Sequence, residues 1–252
     1  MSEHKRIALI TGANQGVGFQ VATELAADGV TVLVGARNFE KGQAAAAEIG
    51  RGAVAIHLDI TDETLIAAAA EHIGQEFGRL DLLVNNAAIS MVERNDVDLQ
   101  NYGSVYGTST VSLDKVRAIW QTNVFGQLAV YQAMLPLLRL SSDARIVNVG
   151  SGAGSLTLNA SPSFPYRKMF GPAYAGSKTA FHIIALSMMI EHEDDGIKVN
   201  LVSPEFTSTA LNNFHGTTSL ADGAREVVRV AKFGPNDSSG TFTKWENETI
   251  PW

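Results

Sequence analysis

Ile7-Ala8-Leu9-Ile10-Thr11-Gly12-Ala13-Asn14-Gln15-Gly16-Val17-Gly18 decides how this chain folds. A short apolar run with no polar alternation is the signature of a strand buried on both faces. A turn with three glycines follows, and then a helical pattern over Gly16–Ala27. Glycines placed between a strand and a helix allow a tight turn, let the backbone approach phosphates closely, and deliver a pyrophosphate to the helix N-terminus. The spacing is G-x-x-x-G-x-G instead of the commoner G-x-G-x-x-G. No Gly-Lys-Ser/Thr follows, which excludes a nucleoside triphosphate loop of the Walker type.

The same strand-then-helix rhythm continues along the chain. Runs rich in Val, Ile and Leu at Thr31–Val34, Ala53–Leu58, Leu80–Val84, Arg145–Val149 and Lys198–Val202 read as further buried strands. Helical patterns lie between them at Glu40–Ile49, Asp62–Phe77, Leu113–Leu138 and Ala173–Glu193, with a last one near Ala221–Ala231. Alternation of this kind implies right-handed crossovers onto a parallel sheet with helices on both faces. The expected fold class is therefore α/β, a single domain over 1–252 with a doubly wound, mostly parallel sheet. Three stretches break the rhythm, at about 90–112, 152–172 and 204–219. Long irregular segments inside a compact domain tend to be functional, so these are expected to shape the substrate site.

Composition narrows the function classes. A net charge of −7 argues against nucleic acid or an anionic membrane as the main partner, because both demand a basic surface. Ile7–Ile10 is too short for a signal-peptide core or a membrane span, so a soluble, cytoplasmic protein is expected. Absence of cysteine removes disulfides and thiolate-bound zinc. His192-Glu193 has Gly196 where a zinc protease would need its second histidine, so no metal is expected, and Glu191–Asp195 reads as a solvated helix end. Ser151 lacks the Gly-x-Ser-x-Gly elbow of a serine hydrolase, with Val149 standing two places before it.

Tyr174 and Lys178, in Tyr174-Ala175-Gly176-Ser177-Lys178, are four residues apart at the opening of a helical pattern and so share one face. A cation held beside a phenol favours phenolate, which makes the pair a candidate general acid or base.

Taken together, Thr11-Gly12-x-x-x-Gly16-x-Gly18, Asp59, Asn85-Asn86-Ala87-Ala88, Asn123, Ser151 and Tyr174-x-x-x-Lys178 resemble the short-chain dehydrogenase/reductase superfamily in order and across essentially the whole chain. Gly12-Ala13-Asn14, Phe19 and the lengthened stretch before Tyr174 look most like its carbonyl reductases. The resemblance implies a Rossmann-type fold and a reductase of ketones or aldehydes. Tyr174 would give a proton to the substrate oxygen while hydride arrives from a nicotinamide. Lys178 would lower the tyrosine pKa and hold the nicotinamide ribose, Ser151 would bind the substrate carbonyl, and Asn123 would hold a relay water. For the cofactor, the resemblance points to Gly12, Asn14, Gln15, Gly16, Val17 and Gly18 at the diphosphate, Asp59 and Ile60 at the adenine, and Asn86 and Ala87 along the adenosine ribose. Thr207 and Thr209 would contact the nicotinamide and diphosphate.

Ala36 stands where an NAD enzyme of this family carries its ribose-binding acid, and Arg37 follows, which favours NADPH over NADH. Gln15 weighs against this, because many NADP-binding relatives have a basic residue there. Two departures from the family pattern, Ala88 and Glu205 for glycine, put local loop geometry in question. Phe164, Tyr166, Met169 and Phe170, with Phe206, Leu211 and Phe214, are candidate walls for a substrate with an apolar body. An NAD-dependent alcohol dehydrogenase and a non-catalytic NADP(H) sensor are the alternatives. The length of the Ser151–Tyr174 interval leaves homodimer, homotetramer and monomer open.

Overall fold

The computed structural model describes residues 5–92 and 102–252. Six strands form where the apolar runs place them: β1 (Ile7–Thr11), β2 (Thr31–Ala36), β3 (Val54–His57), β4 (Leu82–Asn85), β5 (Arg145–Val149) and β6 (Lys198–Val202). They alternate with α1 (Gly16–Ala27), α2 (Phe39–Ile49), α3 (Glu63–Phe77), α4 (Tyr102–Tyr106), α5 (Leu113–Trp120), α6 (Gln127–Leu138), α7 (Leu156–Ala160), α8 (Tyr174–Glu191) and α9 (Leu220–Ala231). Two strands escape the sequence reading, β7 (Phe242–Lys244) and β8 (Glu248–Thr249). They are three and two residues long and largely polar, so neither presents an apolar run.

The strands join in one sheet, in the order β3-β2-β1-β4-β5-β6-β7-β8, parallel except for the antiparallel pair β7 and β8. Alternate strand residues feed two cores. Leu9, Leu33, Leu83, Ile146 and Leu201 face α3, α6 and α8, while Ile10, Val34, Val84, Val147 and Val202 face α1 and α9. Burial on both faces is why these strands read as continuous hydrophobic runs. The strand order reverses between β1 and β4, and a crevice at the carboxyl ends of such strands is where a doubly wound fold receives its ligand.

The long helix expected over Leu113–Leu138 is continuous but changes its winding partway. Gln121–Gly126 winds as a π-helix between α5 and α6. The Asn123 side-chain amide there donates to the Ile89 carbonyl at 2.8 Å and to Ser177 Oγ at 3.0 Å, and its oxygen accepts from the Ile89 N–H at 2.9 Å. Gly126 lies so close to the Ile60 backbone that an added Cβ would stand 2.4 Å from the Ile60 carbonyl oxygen. The π-helix thus lets the helix approach two loops at the sheet's carboxyl edge.

At the other end of the molecule, His192 is not a solvated residue. It is 3% exposed, with one ring nitrogen 2.8 Å from the Tyr131 hydroxyl and the other 2.7 Å from Asp195. Among the described residues no helix is long and apolar enough to cross a membrane.

Candidate active site

Parallel strands aim their carboxyl ends at one edge, and the site is built there from the loops that leave them. After β1 the chain turns through Gly12 and Gly16, both with φ near +60°. Gln15 holds the N-cap position of α1 without making a side-chain cap, so that helix's first N–H groups face the cleft uncapped by a side chain. An added Cβ at Gly12 would meet Ala87 at 3.0 Å, and one at Gly18 would meet the Asn86 side-chain nitrogen at 2.4 Å. The glycines therefore admit the loop after β4, whose Asn86 donates to the Thr11 carbonyl at 2.8 Å.

A cleft of about 350 Å³ follows from this turn along the edge of the sheet. Its wall includes Gly12, Asn14, Gln15, Gly16 and Val17; Arg37, Asp59, Ile60, Asn86 and Ala87; and Thr209, Tyr174 and Lys178. Two of the residues expected at the cofactor stand elsewhere. Gly18 packs under Asn86, and Thr207 donates its hydroxyl to the Pro204 carbonyl while facing the neighbouring cavity. Asp59 keeps its carboxylate on Thr61, accepting from the N–H at 2.9 Å and from the hydroxyl at 2.7 Å. The Asn123 amide is engaged with Ile89 and Ser177.

Tyr174 opens α8 and Lys178 follows one turn later, 2% exposed, its Nζ donating to the Val149 carbonyl at 2.9 Å. Burial pushes the lysine pKa down to about 8. Burial also raises the Tyr174 pKa, and the hydrogen bond with Ser151 works in the opposite direction. The lowering expected from Lys178 is thus not the dominant effect on the phenol, although Nζ is 5.9 Å from its ring centroid. Ser151 sits just past β5, where its Oγ accepts from the Ala153 N–H at 3.2 Å.

Beyond Tyr174 a second cavity of about 500 Å³ opens. It shares Val17, Ser90, Met91, Gly150, Tyr174, Pro204, Thr209 and Leu211 with the cleft, so the two meet at the phenol. Phe164, Tyr166, Met169, Phe170, Phe206 and Leu211 line it as expected, but Phe214 is 69% exposed and does not. Tyr166 bridges the loops, its ring centroid 5.8 Å from Phe164 and 5.4 Å from Phe206. Of the 90–112 stretch, Ser90, Met91 and Tyr102 reach the cavity, while 93–101 lies outside the described residues.

The short chain dehydrogenase family matches residues 6–219 of the chain. The chain belongs to that family. The short-chain dehydrogenase anuI of Penicillium roqueforti is 35% identical to it, over 98% of this chain and 96% of that one. The (-)-isopiperitenone reductase of Mentha piperita is 34% identical, over 96% and 97%. The structure of salutaridine reductase from Papaver somniferum superposes with a TM-score of 0.78 at 25% identity, covering 96% of this chain and all of that one. This short-chain dehydrogenase is accordingly an NAD(P)-dependent oxidoreductase on a Rossmann-type scaffold.

Several residues of the dehydrogenase's site escape the sequence reading. Lys41, in the first turn of α2, joins Arg37 and Asn38 in the cleft wall, and a second basic residue four places after Arg37 was the available signal. Ile250 and Pro251 line the second cavity from the chain's far end, where nothing in their type points to a site. Glu205 keeps φ at +57° although it is not glycine, so the loop after β6 holds a left-handed turn at some cost, on the order of 1 kcal/mol. Ala88 stays out of that region.

Proposed function

We propose that this dehydrogenase is an NADPH-dependent reductase of ketones or aldehydes that carry an apolar body, with Tyr174 as the proton donor. The observation that carries the reading is the meeting of the two hollows at Tyr174: a polar cleft with glycine turns on one side, a cavity walled by aromatic and aliphatic side chains on the other. The cleft residues fit a dinucleotide. Gly12 and Gly16 give the backbone close approach, and the uncapped start of α1 offers N–H groups to a diphosphate. Arg37 and Lys41 stand where a 2′-phosphate can be paired. Lys178, Asn86 and Thr209 line the remaining length.

When bound, the nicotinamide group supplies the hydride. Ser151 holds the substrate carbonyl beside Tyr174 and stabilises the charge that develops on its oxygen. That oxygen takes the Tyr174 proton as the carbonyl becomes an alcohol. The upward pressure of burial on Tyr174 keeps the phenol protonated near neutral pH, as an acid requires. Lys178, beside it and largely charged below a pKa of about 8, steadies the phenolate left behind.

The test is a panel of aryl, cyclic and small polar carbonyl compounds with NADPH and NADH, followed at the nicotinamide absorbance. Faster turnover of aryl and cyclic ketones with NADPH is expected. No oxidation of NADPH against any compound, or a ranking led by small polar sugars, sinks the reading.

A further inference from the structure

We propose that His182 is a positioning residue for Ser151: its Nε2 accepts the Ser151 amide proton, at 3.3 Å, and so fixes where the serine hydroxyl stands at the head of the substrate cavity. The inference rests on the reading that Ser151 contacts the substrate. His182 lies on α8 two turns beyond Tyr174, so one helix carries both the proton donor and the group that locates the serine. Its ring fills a slot left by two glycines. An added Cβ at Gly150 would stand 2.8 Å from Nε2, and one at Gly154 would stand 2.7 Å from Cε1.

On its other side the ring meets Phe242 at 4.8 Å and Trp252 at 6.4 Å between centroids, and these two pack on each other at 5.4 Å. The chain end fastens the same loop from outside. Ser155 donates its hydroxyl to the Pro251 carbonyl, and Thr157 donates its N–H and its hydroxyl to the Trp252 carbonyl at 3.1 and 2.6 Å. Burial, reinforced by the Lys178 charge, holds the imidazole pKa near 3. The ring is therefore neutral at working pH, and a nitrogen that accepts must leave the proton on Nδ1.

His182→Gln can keep an acceptor near the Nε2 position, His182→Asn is too short to reach Ser151, and His182→Leu fills the slot without an acceptor. Two readouts separate positioning from packing. In cofactor-free protein, exchange of the Ser151 amide proton should quicken at least tenfold in the Asn and Leu variants and return to within about threefold of wild type in the Gln variant. In turnover, kcat should fall about tenfold in the Asn and Leu variants, with NADPH affinity within twofold and partial recovery in the Gln variant. Unchanged Ser151 exchange in folded His182→Asn, or equal damage in all three variants, overturns the proposal. If the wild type turns over no carbonyl compound, the reductase reading fails while the exchange measurement still decides this one.

Discussion

Burial acts on the two groups at the head of α8 in ways that suit one direction of reaction. It raises the Tyr174 pKa and lowers that of Lys178 to about 8, so near pH 7 the phenol keeps its proton and the amine is still mostly charged. With Tyr174 as the proposed proton-transfer group, alcohol oxidation needs the phenolate. Its rate is therefore expected to climb as pH rises above neutrality, while carbonyl reduction shows no loss from phenol ionisation up to pH 10, because the raised phenol pKa keeps its proton on; rates of both directions measured across pH 6–10 check this. Tyr174→Phe should lower kcat by a factor on the order of 10²–10⁴ while NADPH binding, followed by its fluorescence, stays near wild type.

His182 makes a stability prediction of its own. Its folded pKa of about 3 lies below the unfolded value of 6.5, so the unfolded chain binds more protons between these pH values. Stability is thus full above pH 6.5 and is lost as pH falls toward 3, with a slope approaching about 1.4 kcal/mol per pH unit from this group. Urea unfolding of wild type and His182→Gln at pH 7 and pH 5 should show the variant losing less stability between the two. These residue types were legible unevenly. Tyr174 and Lys178 stand in a motif with a spacing, whereas His182 is an isolated histidine whose partner, Ser151, is 31 positions away in the chain.

Among the elements, the helix between Leu113 and Leu138 separates what a pattern can reveal from what it cannot. Helical periodicity and the length of the run were legible, but a π turn adds one residue without adding a proline or a polar run. What forces it lies elsewhere in the fold: the Ile89 backbone drawing in Asn123, and the Ile60 carbonyl pressed against Gly126. The short strands β7 and β8 were hidden for the opposite reason, since their pairing is supplied by β6 and their sequence is nearly neutral. Gly126→Ala should therefore do more than a surface glycine substitution. With a Cβ 2.4 Å from the Ile60 oxygen, the helix or the Ile60 loop must move, costing roughly 1–3 kcal/mol of stability. Because Ile60 lines the cleft, NADPH affinity should fall as well. Thermal unfolding and cofactor titration of this variant, set beside Gly74→Ala in α3, where an added Cβ meets only the Leu137 side chain at 3.4 Å, measure both effects.

The molecule as a whole carries a net charge of −7, which repels a phosphate-rich cofactor at long range. Its cleft must then bind by local charge. Arg37 and Lys41 are the basic side chains in the cleft wall away from the Tyr174 end, and Asn38 between them caps α2 by accepting from the Lys41 N–H at 2.8 Å. That cap fixes the backbone on which Lys41 is carried. Pairing of a charged group with a phosphate contributes roughly 1.5–3 kcal/mol, a tenfold to hundredfold change in affinity. Arg37→Ala and Lys41→Ala should each raise the KM for NADPH at least tenfold while leaving the KM for NADH within about twofold. The double variant should bring the two cofactors close to parity. Added salt should weaken NADPH binding more steeply than NADH binding in the wild type, and that difference should disappear in the double variant. An NADH preference in the wild type, or equal loss of both cofactors in the variants, would place the 2′-position of the ribose away from these two residues.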